Sequence, residues 1–80
     1  GIMRHLVLLL DWSMAAASPE VAPNRGVWLV RNSINPFIAS FFEQNPLSQL
    51  SIIRLRDGLA ERVTELSPNL AEHELALEQM

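Results

Sequence analysis

The hydrophobic and polar positions of this chain change period from one stretch to the next. His5-Leu6-Val7-Leu8-Leu9-Leu10-Asp11-Trp12-Ser13 holds an unbroken apolar run, Leu6 to Leu10, that stops abruptly at an acid and a hydroxyl. A run this short without alternation predicts a central strand covered on both faces. Met14 to Pro23 is rich in small residues and ends in two prolines, which predicts a loop. From Asn24 to Gln44 the positions Val27, Val30, Ile34, Phe37, Ile38 and Phe41 repeat at three and four, the stripe of an amphipathic helix. Pro36 interrupts that helix, removing the bond to the Asn32 carbonyl at roughly 3 kcal/mol in a free helix. Asn35-Pro36 could instead start a new helix. The stripe holds its phase across the proline, so one kinked helix is the expectation.

Gln49 to Arg56 and Leu59 to Leu66 read as strands joined by Asp57-Gly58, a dipeptide suited to a two-residue hairpin turn with positive φ at both positions. Folding on that turn sets Ser51 opposite Thr64, Ile52 opposite Val63, Ile53 opposite Arg62, Arg54 opposite Glu61 and Leu55 opposite Ala60. Most of these pairs match chemically, at about 0.2–1 kcal/mol each; only Ile53 against Arg62 fits poorly. Asn69, with Glu72 three residues on, is a capping box for a last helix from Leu70 to about Met80. The expected fold is α/β: strand, helix, strand, strand, helix. Its three strands form part of a doubly wound sheet, the first two parallel and the third antiparallel.

Eighty residues allow one small domain, and 49% hydrophobic content is that of a globular chain. A net charge of -3 argues against a general phosphate-binding surface, so no direct sequence-specific nucleic-acid binding is expected. All basic residues are arginines, which excludes lysine chemistry, and the lack of cysteine excludes disulfides and thiolate metal sites. No apolar run is long enough to span a membrane.

Candidate chemistry is sparse. Asp11 and Ser13 could contribute oxygen ligands to a hard cation, but two ligands do not make a site, and an acid and a hydroxyl at a strand end more often make a local hydrogen bond that orders the loop. Ser13 lacks the glycines of a nucleophile elbow, and neither His5 nor His73 has an identifiable partner. Both histidines read as surface residues. No catalytic residue, metal or cofactor is therefore expected. Trp12, Met14 and Trp28 either pack locally or form a partner-binding patch, for which tryptophan and methionine are suited. Phe37, Phe41 and Phe42 read as core. Arg54, Arg56 and Arg62, beside Asp57, Glu61 and Glu65, read as a mixed charged surface.

Several blocks carry a resemblance: Gly1 to Ser13, Pro23-Asn24-Arg25, Phe41 to Ile53, Arg56 to Ala60 and Thr64 to Ser67, with Phe-Phe-Glu-Gln-Asn-Pro-Leu-Ser-Gln the most specific. Together they resemble the von Willebrand factor A-like domain of the transcription factor IIH core subunit that contacts and stimulates the XPD-type helicase. The resemblance implies a doubly wound, Rossmann-like fold and a nuclear, non-catalytic scaffold. That scaffold would act in transcription initiation and nucleotide excision repair, with the helicase and other core subunits as partners. It also implies that residues 1–80 are the amino-terminal part of such a domain, and the open edge of the first strand is expected to be covered by another chain or by a continuation of this one. Metal-binding members carry Asp-x-Ser-x-Ser or -Thr. Here Asp11 and Ser13 match, but Ala15 lacks the second hydroxyl. Two other members of the fold are alternatives: the A domain of a proteasomal ubiquitin receptor, and a magnesium-dependent adhesion or chelatase-type module.

Overall fold

A computed structural model describes residues 4–12 and 25–80. Strand β1 spans His5–Asp11. A continuous helical run comes next as α1 (Arg25–Leu29), a π turn (Val30–Ile34) and α2 (Asn35–Gln44). Strands β2 (Gln49–Arg56) and β3 (Leu59–Ser67) and helix α3 (Leu70–Glu78) complete the order. The sheet runs β1-β2-β3, with β1 parallel to β2 and β3 antiparallel. The α/β class, the element order and both strand directions agree with the sequence reading.

The position of β1 does not. Among the described residues β2 is the middle strand and β1 a border. Its burial alternates: Leu6, Leu8 and Leu10 are half-buried, while Val7 and Leu9 are 55% and 59% exposed. The expected cover exists on one face only. Leu6 sits beside Leu50 and Leu8 beside Ile52 in the parallel register, and both β2 partners are fully buried. Val30, Ile38 and Leu77 close over them, so the π turn, α2 and α3 pack on this face.

The helical stripe is also altered. The proline ring at position 36 would press on the Asn32 carbonyl in a regular α-helix. The chain avoids this by widening one turn: the Asn35 N–H donates to the Val30 carbonyl, five residues back. Within this stretch the Asn32 side-chain amide donates to the Trp28 carbonyl at 2.9 Å. The extra residue in the wide turn rotates the rest of the helix by about 100° relative to an uninterrupted one. Ile38 and Phe42 therefore align with Val30 toward the core, and Phe37, expected in the core, is half exposed.

At the hairpin, Asp57 and Gly58 have φ of 54° and 76°, the left-handed pair that a two-residue turn needs. The predicted register holds for Leu55–Ala60, Arg54–Glu61 and Ile53–Arg62, then shifts. Ile52 faces Thr64 rather than Val63, and Leu50 faces Ser67. Side chains secure this bulge: the Ser51 hydroxyl donates to the Thr64 carbonyl at 2.9 Å, and the Ile52 N–H donates to Thr64 Oγ1 at 3.0 Å. Asn69 caps α3 as expected, its side chain accepting from the Glu72 N–H. The Glu72 carboxylate accepts from the Ser67 hydroxyl, which in turn accepts from the Asn69 N–H, so the box closes through Ser67.

Candidate docking surface

Exposed apolar side chains occur on β1 (Val7, Leu9) and the helical run (Trp28, Phe37), and also on β3 and α3 (Leu59, Leu66, Leu75); β1 is distinguished by its backbone. The two bonds at its ends fix which way its backbone faces: the Gln49 N–H donates to the Arg4 carbonyl, and the Trp12 N–H to the Leu55 carbonyl, each at 2.8 Å. In a parallel ladder the N–H and C=O of one residue point to the same side, and the side alternates along the strand. Even-numbered residues thus bond to β2, and Val7 and Leu9 turn their backbone groups outward. No strand among the described residues pairs with that border. The residues with outward backbone are the same ones whose side chains stand on the uncovered face. Val7 and Leu9 join Ile53 and the exposed Leu55 there. On the helical face, the border opens into a shallow apolar groove of about 190 Å³, lined by Leu8, Leu10, Ser33, Ile34 and Phe37.

The residues singled out from the sequence divide in two. Trp12 is half-buried and joins the core; a β-carbon at Gly26 would come within 2.8 Å of its indole Cζ2, so glycine admits the ring at the start of α1. Trp28, 59% exposed, faces solvent. Asp11 is exposed at the strand's end. Ser13, Met14 and Ala15 lie outside the described residues. Among the described residues, no three His, Cys, Asp or Glu side chains converge on a point that could hold a metal ion. No helix among them is long and apolar enough to cross a membrane.

The arginine cluster is more ordered than a generic charged surface. Arg54 donates to Glu61 at 2.7 Å and Arg56 to the other carboxylate oxygen at 3.3 Å, while Arg62 pairs with Glu65 at 3.0 Å. The hydrogen bond from Arg54 holds the Glu61 carboxyl below its ordinary range; partial desolvation opposes this, and the charges of Arg54 and Arg56 add to it. Two sequence readings need correction. His73 is fully buried rather than on the surface, because Thr64 and the Ser67 carbonyl satisfy both its ring nitrogens. Val7 and Leu9, expected to be covered, form the exposed surface; the unbroken apolar run was the signal for a second covering layer, which the described residues do not supply.

Comparison with known proteins gives this geometry a context. The Ssl1-like family model matches residues 9–80. "General transcription factor IIH subunit 2" of Dictyostelium discoideum is 44% identical over 73 residues, 91% of this chain and 16% of that protein. The "General transcription and DNA repair factor IIH subunit ssl1" of Schizosaccharomyces pombe is 42% identical over 73 residues, 91% of this chain and 17% of the relative. "General transcription factor IIH subunit 2" of Arabidopsis thaliana is 35% identical over 77 residues, 96% of this chain and 18% of the relative. The chain thus spans less than a fifth of the length of these curated relatives. With the family model matched along nearly all of its length, the chain belongs to the Ssl1-like family.

Proposed function

We propose that residues 1–80 are the amino-terminal part of a von Willebrand factor A-like domain, and that this part is a non-catalytic scaffold in the transcription factor IIH core. The observation that carries the reading is the outer border of β1. Outward backbone groups and outward apolar side chains coincide at Val7 and Leu9. A long apolar border of this kind favours pairing with further polypeptide, since left bare it is prone to aggregate. The names of the relatives support a place in transcription and DNA repair, and hence in the nucleus. In this reading the partners are an XPD-type helicase, which the subunit stimulates, and other core subunits. Of Trp12, Met14 and Trp28, the exposed Trp28 supplies contact area in this reading. The scaffold uses no cofactor, and Asp11 and Ser13 are the remnant of a metal site that lacks the hydroxyl at Ala15.

Affinity purification of the intact protein from nuclear extract tests this. An XPD-type helicase is retained, and Trp28→Ala weakens its retention by roughly tenfold or more if this residue is a central anchor. Co-purification with proteasomes and no helicase sinks the proposal. Amide exchange tests the domain assignment separately. In the 80-residue chain alone, Leu6, Leu8 and Leu10 are protected while Val7 and Leu9 exchange fast; in the intact protein all five are protected. Uniform protection in a monomer of the short chain contradicts it.

A further inference from the structure

His73 is fully buried, although it sits on the last helix and takes no part in the docking surface. Its Nε2 lies 2.9 Å from the Ser67 carbonyl oxygen and its Nδ1 lies 2.8 Å from Thr64 Oγ1, with Phe42 stacked on the ring at 5.9 Å and 18°. A carbonyl can only accept, so Nε2 carries a proton. In the neutral ring Nδ1 is then bare and accepts from the Thr64 hydroxyl. The same hydroxyl oxygen accepts from the Ile52 N–H. Every proton in the relay thus has a fixed direction, from Ile52 through Thr64 and the imidazole to Ser67.

Ile52 is where the hairpin ladder shifts register. Continuing the outer pairs Leu55–Ala60, Arg54–Glu61 and Ile53–Arg62 inward without the shift would set Ile52 opposite Val63. We propose that His73 is a conformational latch: by holding the Thr64 hydroxyl in one rotamer it selects the bulged register over the regular one, so that the pairing of β2 with β3 depends on α3 being docked. When α3 lifts away, the hydroxyl loses its acceptor and the buried Ile52 N–H loses a fixed partner. The regular ladder then becomes the competing arrangement. Thr64, in this arrangement, is a positioning residue whose hydroxyl matters more than its methyl group.

Nitrogen-detected NMR of the intact protein at neutral pH reads the ring directly: Nε2 is protonated and Nδ1 bare. Thr64→Val and His73→Leu each speed exchange of the Ile52 amide by about tenfold or more, as expected for a lost buried hydrogen bond. The Leu10 amide, in the β1–β2 ladder, changes little. Thr64→Ser restores slow exchange at Ile52. An Nδ1-protonated or doubly protonated ring overturns the proposal, as does unchanged Ile52 exchange in both variants or a failed serine rescue. Should Thr64→Val not fold, the ring tautomer and the serine variant carry the test.

Discussion

The two ends of the three-stranded sheet are finished in different ways. On the β3 side, also a border among the described residues, local chemistry secures the inner pairing and the return to the helix: a left-handed turn at Asp57-Gly58, a side-chain-bonded bulge, a capped helix and paired arginines. On the β1 side, one face packs on helices and the other presents Val7 and Leu9 to solvent beside an unpaired border among the described residues. The two border strands differ in sequence as well: β1 holds five apolar residues in a row, Leu6 to Leu10, whereas β3 interleaves Glu61, Arg62 and Glu65 with its apolar positions. The difference teaches that hydrophobicity reports how much cover a strand needs, while turns, caps and matched pairs report whether the same short chain provides it.

The largest expected effect separates the covered face from the bare one. Ile52→Ala, at a fully buried position, should cost about 2–5 kcal/mol. Leu9→Ala on the opposite face should change the stability of the short chain by only about 0.5 kcal/mol. Urea denaturation of both variants decides this, and a large loss at Leu9 would show that its face is already buried. Next in size, Gly58→Val puts a β-branched side chain at φ 76°, with open space around it, so the penalty comes from the backbone alone. That penalty is about 1–2 kcal/mol, read as a lower urea midpoint. The smallest effect concerns Glu61. Its folded-state carboxyl titrates below the ordinary range, so its contribution to stability is present above the unfolded value. It is lost as pH falls through the lower, folded value. Thermal melts from pH 6 to pH 2 should therefore show a shallower acid decline for Glu61→Gln, and an unchanged decline would mean that the ion pair contributes nothing.

Much of this contrast was legible in the residues. The hairpin was readable because Asp57-Gly58 has few other uses, and the outer pairs followed from the turn by counting. The α3 cap was equally explicit in Asn69 and Glu72. Counting failed at Ile52, since nothing in a linear pattern tells a regular pair from a bulge closed by the Ser51 and Thr64 side chains. Burial of His73 was hidden for a related reason: its partners Thr64 and Ser67 become adjacent only once α3 folds back. Pro36 announced a disturbance but not its form. Reading the stripe as straight through it placed Phe37 inside, whereas the wide turn leaves it half exposed and only Phe42, also read as core, packs there. For the docking surface, the apolar run at Leu6–Leu10 signalled the need for a second layer, and Trp28 was found at the surface. Ser13, Met14 and Ala15 lie outside the described residues.

The wide turn at Val30–Ile34 has one more consequence, for chain length itself. It works as a spacer of one residue, indexing the second half of the helix so that Phe42 meets the His73 ring. Removing Ser33, an exposed side chain, would leave every core residue in the protein, yet turn Ile38 and Phe42 off their mark by roughly a quarter of a revolution. A deletion that looks harmless by composition should thus loosen the contact between α2 and α3.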